Sequence, residues 1–215
     1  MPAGETFQTL AEQLAQIGRQ SYARGWTFGT SGNFSAVVSR EPLLLAITTS
    51  GVDKGLLNAN QIVQIDETGR VLGGGAGKPS AETSLHVAVA RARGVGAGAV
   101  LHTHSIWSTI LSDATVDGGG GVVIEGYEML KGLDGVSTHQ HREWLPIIEN
   151  TQDWAIAAAE VEQLLRATPK AHGFLIRRHG LYTWGRDLAA AKRQMEILEF
   201  LLEAMGRKRG MTWQT

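Results

Sequence analysis

The sequence predicts a single α/β domain over residues 1–215, in which helices flank a mixed sheet. Two patterns predict this fold class. Apolar residues recur every three or four positions in several long segments, which is typical of amphipathic helices. Short β-rich runs, bounded by turn residues, lie between those segments. A chain of 215 residues buries on the order of 70% of its unfolded surface, so we expect one well-formed hydrophobic core.

The N-terminal half is predicted to contain two helices and most of the antiparallel strands. The first helix covers 5–22 and the second covers 80–93, with Ser80 placed to cap it. Short β-rich runs separated by turns occupy 34–38, 43–48, 62–65 and 71–72, and a buried strand occupies 99–103. Because no long helix separates the first runs, we expect successive strands to pair antiparallel.

The C-terminal half is predicted to alternate helices and strands. The helices cover 105–112, 127–133, 153–167 and 187–205. The strands cover 122–124, 145–148, 174–178 and 181–184, and a four-glycine loop at 118–121 precedes the first of them. No internal repeat or linker interrupts this order, which favours one domain.

Charge and composition exclude several classes of protein. The chain has 20 basic and 21 acidic residues, so we expect no nucleic-acid partner. It has no cysteine, so a metal site would have to use imidazole and carboxylate ligands. No run approaches the roughly 18 apolar residues of a membrane span, and the first residues lack a secretory pattern. We therefore expect a cytoplasmic protein without a membrane partner.

A candidate metal site begins at the histidine pair of the LHTHS segment. His102 and His104 lie two residues apart on a predicted strand, so their side chains point to the same face. A catalytic zinc ion takes three protein ligands and keeps one position open. His179, at the end of another predicted strand, is available as a third ligand, although spacing alone does not select it.

The other four histidines are interpreted as hydrogen-bonded or solvated residues rather than ligands. His86 lies inside a predicted helix, whereas His139, His141 and His172 lie in polar or loop segments.

Small polar residues beside glycine indicate a second kind of site. They occur at Ser31-Gly32-Asn33, at Thr49-Ser50-Gly51 and at Ser80. Glycine lets backbone N–H groups approach an anion, and hydroxyl groups with a helix N-terminus complete a phosphate-binding cradle. Together with the histidines, these segments favour an enzyme that acts on a phosphorylated small molecule.

These motifs together resemble the class II aldolase family, the zinc-dependent aldolases and epimerases of sugar phosphates. The matching segments SGNFS, TTSGV, KPSAETSLH, HTHS and RRHGLYTWG span positions 31–185 in order. The resemblance implies a three-layer α/β/α fold with a central, largely antiparallel sheet, assembled as a homotetramer with sites near subunit interfaces. It also implies one Zn²⁺ per subunit and a sugar-phosphate substrate. The implied zinc ligands are His102, His104 and His179, and the implied phosphate-binding residues are Asn33, Ser50, Gly51 and Ser80.

Two further segments resemble the dehydratases of that family rather than its aldolases or 4-epimerases. These segments are GYEMLKGL at 126–133 and LPIIENTQD at 145–153. The resemblance implies that Glu128 is the catalytic acid/base, while Glu82 occupies the place of the glutamate that aldolases use. Both carboxylates stay open as candidates. A sugar-phosphate aldolase or 4-epimerase is the alternative activity, and a non-catalytic interaction domain, as in adducin, is a remote one because all three histidines are present.

Overall fold

The structure, a computed structural model, describes residues 6–73, 77–114 and 120–210. Over these residues it has five α-helices, nine β-strands and several 3₁₀ turns. The helices are α1 Phe7–Ala23, α2 Thr83–Arg93, α3 Ile106–Ala114, α4 Trp154–Ala167 and α5 Leu188–Gly210. The strands are β1 Asn33–Arg40, β2 Leu43–Thr48, β3 Ile62–Asp66, β4 Val71–Leu72, β5 Ala99–Thr103, β6 Gly121–Glu125, β7 Arg142–Ile148, β8 Gly173–Ile176 and β9 Gly180–Gly185.

The described strands form one mixed sheet in the order β4-β3-β2-β1-β5-β9-β8-β7-β6. Seven of the eight neighbouring pairs are antiparallel, and only β7 and β8 run parallel. The prediction that the first successive strands of the N-terminal half pair antiparallel is therefore confirmed. Strand β5, which carries the histidine pair, lies at the centre of the sheet, and β1 and β9 are its neighbours.

Helices cover both faces of the sheet, so the predicted three-layer α/β/α fold is confirmed. On one face α1, α3 and α5 pack over apolar side chains such as Phe34 and Leu101. On the other face α2 and α4 pack over Val100, Phe174 and Tyr182. Because side chains alternate along a strand, His102 projects to the same face as Val100, beneath α2 and α4, while Thr103 projects toward α5.

Three local predictions need correction. Ser80 does not cap α2: the helix begins at Thr83 after a turn, and the N-cap residue is Glu82, whose side chain makes no capping hydrogen bond. The segment 127–133 forms a 3₁₀ turn at Glu128–Gly132 instead of an α-helix. Strand β8 ends at Ile176, because the chain turns sharply before His179. The glycine loop predicted at 118–121 lies partly outside the described residues.

Among the helices in the described ranges, none has both the length and the hydrophobicity of a membrane span.

Candidate active site

The site is built on one row of side chains that crosses three adjacent strands. In the sheet register, His102 of β5 lies opposite Asn33 of β1 and opposite Tyr182 of β9. All three side chains project to the same face, and the His102 ring stacks on the Tyr182 ring with centroids 4.0 Å apart. The regular pairing of the sheet therefore fixes the floor of the site.

Three imidazole rings converge above this row. The Nε2 atom of His104 lies 2.8 Å from the Nε2 atom of His102 and 3.1 Å from the Nε2 atom of His179. The sequence-predicted pair and the third histidine, which is 75 residues farther along the chain, thus point their ring nitrogens at one place. A catalytic zinc site, in which the protein supplies three ligands and the fourth position stays open, requires this arrangement.

The backbone around His179 is unusual, and it sets the position of that ring. Arg178 has a φ of 54°, and it is the one described non-glycine residue with a positive φ. The His179 N–H donates to the carbonyl of Ile176 at 3.1 Å, which closes a tight turn. At Gly180 a Cβ atom would collide with the carbonyl oxygen of Thr103, so only glycine lets β9 pair this closely with β5.

Burial keeps His102 and His104 in the neutral form that binds a metal. Burial lowers the pKa of His102 to about 4, although the charge of Glu82 opposes this shift. Burial and the two neighbouring rings lower the pKa of His104 further. The Nδ1 atom of His102 donates to the carbonyl of Leu181 at 2.9 Å, which leaves the Nε2 lone pair facing the other rings. A neutral imidazole held by such a hydrogen bond is a ready metal ligand.

Glu82 brings a carboxylate into the same cluster. Its oxygens lie 3.3 Å from His102 Nε2 and 3.1 Å from His179 Nε2. It also accepts hydrogen bonds from Asn33 Nδ2 at 2.7 Å and from the Tyr182 hydroxyl at 2.9 Å. Burial raises the pKa of Glu82, but the two histidines and the Asn33 amide outweigh burial and hold that pKa well below its ordinary value. The carboxylate is therefore ionised and fixed in position.

A cavity of about 270 Å³ opens beside the histidines. His104 and His179 line this cavity. The four predicted phosphate-binding residues also line it, namely Asn33, Ser50, Gly51 and Ser80. The structure thus brings two groups of residues that the sequence suggested separately into one place. The Ser80 hydroxyl accepts a hydrogen bond from Asn33 Nδ2 at 2.9 Å, so two members of the predicted cradle contact each other directly.

Lys54 supplies a cation to the same cavity. Its side chain is buried, and its Nζ atom donates to the carbonyls of Thr30 and Val52, each at 3.0 Å. Burial lowers the pKa of Lys54 to about 8, while the charges of Asp53 and Glu82 oppose that shift. Near neutral pH this ammonium group is therefore a fixed positive charge beside the predicted phosphate position.

Glu128, the predicted acid/base, lies apart from this cluster in the described part of the chain. Its side chain is 72% exposed and forms an ion pair with Lys131 at 2.7 Å. Glu128 does not border the histidine cavity, so within one chain Glu82 is the carboxylate that reaches the histidines.

Two more residues position the site, and sequence reasoning missed the first of them, Tyr182. Tyr182 supports Glu82 and His102 from below. His86 is fully buried and bonds to Asn33 Oδ1 and to Ser35 Oγ, so its interpretation as a structural histidine agrees with its contacts. The alternation of side chains along β9 could have shown that Tyr182 lies on one face of the sheet. It could not have shown that His102 lies on the same face.

Comparison with known proteins places this geometry in a family. Residues 12–205 match the family described as "Class II Aldolase and Adducin N-terminal domain". A methylthioribulose-1-phosphate dehydratase of Alcanivorax borkumensis is 44% identical over 91% of this chain and 90% of its own length. A protein of the same name from Sorangium cellulosum is 42% identical, over 92% of both chains.

Among solved structures, an L-fuculose-1-phosphate aldolase of Thermus thermophilus superposes with a TM-score of 0.69. The match covers 92% of this chain and 93% of that one at 23% identity, which supports the shared fold. The family match covers most of the chain and contains the three converging histidines, the cavity and Glu82. The chain therefore belongs to the class II aldolase and adducin N-terminal domain family.

Proposed function

We propose that this chain is a hydro-lyase that dehydrates 5-methylthioribulose 1-phosphate to 5-methylthio-2,3-dioxopentyl phosphate, a reaction of methionine salvage. The observation that carries the proposal is the convergence of three histidine Nε2 atoms beside the cavity that the predicted phosphate-binding residues line. The names of relatives that are 42–44% identical over about nine-tenths of both chains support this substrate. A cytoplasmic location and a single domain over residues 1–215 are part of the same proposal.

The three histidines fit zinc by their donor set. His102, His104 and His179 would hold one Zn²⁺ per subunit, since their facing nitrogens lie 2.8 and 3.1 Å apart and burial disfavours protonation of His102 and His104. When bound, zinc supplies a Lewis acid that polarises the C2 ketone and acidifies the neighbouring C3 proton.

The phosphate of the substrate is assigned to the glycine-hydroxyl segments that line the same cavity. The binding cradle would consist of Asn33, Ser50, Gly51 and Ser80, in which the two serine hydroxyls and the Gly51 N–H donate to the phosphate oxygens and Asn33 positions the Ser80 hydroxyl. Gly51 has a φ of 73°, a conformation that favours glycine, and no atom approaches the place where a Cβ would stand. Lys54 adds positive charge without direct exposure to solvent.

The reaction then needs one group that accepts the C3 proton and one that donates a proton to the departing C4 hydroxyl. Loss of that proton and that hydroxyl releases one water molecule and leaves an enol, which becomes the 2,3-diketone. A positioned carboxyl group performs this work well and contributes on the order of 10²–10⁴ in rate. Glu128 and Glu82 are the two candidates.

We assign the proton transfer to Glu128 and propose that it acts across a subunit contact in a homotetramer. Its exposure supports this assignment, because a side chain that is 72% exposed in one chain is accessible to the site of a neighbour. Glu82 is less free to move, since Asn33, Tyr182 and two histidines hold its oxygens. Its role in the proposal is to orient the histidine rings.

Mixed oligomers test the reaction and the residue assignment together. Glu128→Gln lacks the acid/base, and His179→Ala lacks a zinc ligand, so each variant alone should lose about 10²-fold or more in kcat. When the two chains are refolded or co-expressed at equal amounts, a site is complete if one chain supplies its histidines and its neighbour supplies Glu128. Random mixing should then restore about one quarter of the wild-type activity per chain.

The controls separate the parts of the proposal. Zinc content measured on the same samples should be normal in Glu128→Gln and lower by about one ion per chain in His179→Ala. Co-purification through tags on each variant shows that mixed oligomers have formed. Mixed oligomers without activity would reject the assignment across subunits, and normal turnover in Glu128→Gln beside a zinc-loaded but inactive Glu82→Gln would transfer the role to Glu82.

The products decide between this reaction and the alternatives. Dehydration gives a diketone with the carbon chain intact. An aldolase would cleave the C3–C4 bond and release dihydroxyacetone phosphate with methylthioacetaldehyde, and a 4-epimerase would return an isomer. A non-catalytic domain would leave the substrate unchanged. Mass spectrometry of the product mixture identifies dehydration and cleavage by their masses, and NMR of the recovered sugar phosphate distinguishes an epimer from unchanged substrate.

A further inference from the structure

A second cluster of possible metal ligands lies away from the three histidines of the active site. It consists of His141, Glu143 and His172, and we call it the His-Glu-His cluster. His141 directly precedes β7, Glu143 is the second residue of β7, and His172 directly precedes β8, which runs parallel beside β7. The active-site His179 lies beyond the opposite end of β8, so the two clusters are separated by the length of that strand.

The carboxylate of this cluster is buried, and one of its oxygens faces both histidine rings. Glu143 is 1% exposed, and its Oε1 atom accepts the backbone N–H of His172 at 3.1 Å. Its Oε2 atom lies 2.8 Å from His141 Nε2 and 2.8 Å from His172 Nδ1. Three potential ligand atoms from two neighbouring strand ends therefore meet at one point.

A hydrogen bond on the far side of His172 determines which of its nitrogens can bind a metal. The Nε2 atom of His172 lies 2.8 Å from the carbonyl oxygen of Asp134, and this nitrogen must be the donor because a carbonyl only accepts. In the neutral ring Nδ1 then carries a lone pair, and that lone pair faces the lone pairs of Glu143 Oε2. Two acceptors at 2.8 Å repel each other unless a second proton or a cation lies between them.

The family metal site of this same chain shows the corresponding geometry. There the ring nitrogens face one another at 2.8 and 3.1 Å, whereas in the His-Glu-His cluster two ring nitrogens face one carboxylate oxygen; in both places one ring is held from behind by a backbone carbonyl. A carbonyl that orients a ligating histidine from its other nitrogen is a regular feature of metal sites. Two histidines with one glutamate form a ligand set that zinc enzymes use.

From this geometry we propose that His141, Glu143 and His172 form a second divalent-metal site, which takes zinc; the proposal replaces the sequence-based interpretation of His141 and His172 as residues that bind no metal. A cavity of about 640 Å³ borders both imidazoles of the site, so water can reach a fourth coordination position. The inference is independent of the proposed reaction, since none of the three residues lines the cavity beside the active-site histidines.

The competing explanation is an ion pair without metal, in which a second proton on His172 faces the Glu143 carboxylate. Zinc titration separates the two explanations. The full-length protein is stripped with a chelator and dialysed against Zn²⁺, and the metal is measured per chain. We expect about two zinc ions per chain in the wild type and about one in His179→Ala, because a three-ligand site binds a single ion.

Variants of the cluster itself complete the test. Glu143→Gln and His141→Gln should each bind about one zinc ion per chain. His139→Gln is the matched control, because this exposed histidine lies on the same loop but outside the cluster; it should still bind about two. Since His141 is partly exposed, its substitution decides the matter even if the buried Glu143→Gln fails to fold.

A stability measurement isolates the second site. In the His179→Ala background, added Zn²⁺ should raise Tm, and the further change His141→Gln should abolish that rise. One zinc ion per wild-type chain would overturn the proposal. So would two zinc ions in both Glu143→Gln and His141→Gln, or an unchanged zinc-dependent rise in Tm in the double variant.

Discussion

Glu199 should make the folded protein less stable as the pH rises from about 4.5 to about 7. This glutamate of α5 is 1% exposed and lies behind β5, where Thr103 Oγ1 donates to its Oε1 atom. Its Oε2 atom has no hydrogen-bond partner. Burial raises the pKa of Glu199 from 4.5 to about 7, although hydrogen bonds from Ser105 and Thr103 oppose the rise.

The sign of the effect follows from the two protonation equilibria. Below pH 4.5 the carboxyl group is protonated in both the folded and the unfolded chain, so its ionisation costs nothing. Between pH 4.5 and about 7 the unfolded chain loses the proton while the folded chain keeps it, and stability falls as pH rises. Above pH 7 the full penalty is present, and at about 1.4 kcal/mol per pH unit it amounts to about 3 kcal/mol.

Glu199→Gln replaces the carboxyl group by a neutral group of the same shape and should remove this penalty. In urea unfolding at fixed chain concentration, we expect the variant to match the wild type within about 1 kcal/mol at pH 5. At pH 8 the variant should be more stable by about 2–3 kcal/mol. Glu160→Gln, on the exposed face of α4, is the control and should show no such difference. A difference between Glu199→Gln and wild type that is the same at both pH values would refute the reasoning.

Three further predictions concern the site. His179→Ala should lose most of the zinc held by the active-site histidines. Elemental analysis checks this in a His141→Gln background, in which the second site is disabled, and retention of stoichiometric metal there would remove His179 from the ligand set. Ser50→Ala should weaken both substrate binding and inhibition by inorganic phosphate by roughly ten- to a hundred-fold, since a lost hydrogen bond to a charged group costs about 1.5–3 kcal/mol; wild-type values of both KM and the inhibition constant would place the phosphate elsewhere. Because burial lowers the pKa of Lys54 to about 8, KM should rise up to about tenfold between pH 7 and pH 9 as the ammonium charge is lost, whereas Lys54→Met should have a high KM that does not change over this range.

Local periodicity was sufficient to predict which residues of the candidate site lie close together. The two-residue spacing of His102 and His104 on a strand determined that they share a face, and the structure places their nitrogens 2.8 Å apart. The glycine-hydroxyl segments around Asn33 and Ser50 were recognisable because such turns have strong local preferences. Each of these inferences depends on residues that are close in the sequence.

The remaining features depend on contacts between distant parts of the chain. Glu82 lies 100 residues from Tyr182, whose hydroxyl donates to its carboxylate, and no local pattern indicates that pairing. The prediction that Ser80 caps α2 was wrong because the first turn of the helix is displaced, and the Ser80 hydroxyl contacts Asn33 instead. Likewise, the partnership of Glu143 with His172 depends on the parallel pairing of β7 and β8, which the sequence does not specify.

The row of Asn33, His102 and Tyr182 across three neighbouring strands also bears on how the protein folds. These residues belong to β1, β5 and β9, and they become neighbours only when strands from the beginning, middle and end of the chain have paired. Long-range pairings of this kind form slowly, because a large loop must close before each contact stabilises the chain. Fragments that lack either end of the chain should therefore contain no part-assembled pocket. Substrate or metal binding would therefore indicate that the central strands have paired in their native register. The amide hydrogens of β5 should be among the last to exchange with solvent.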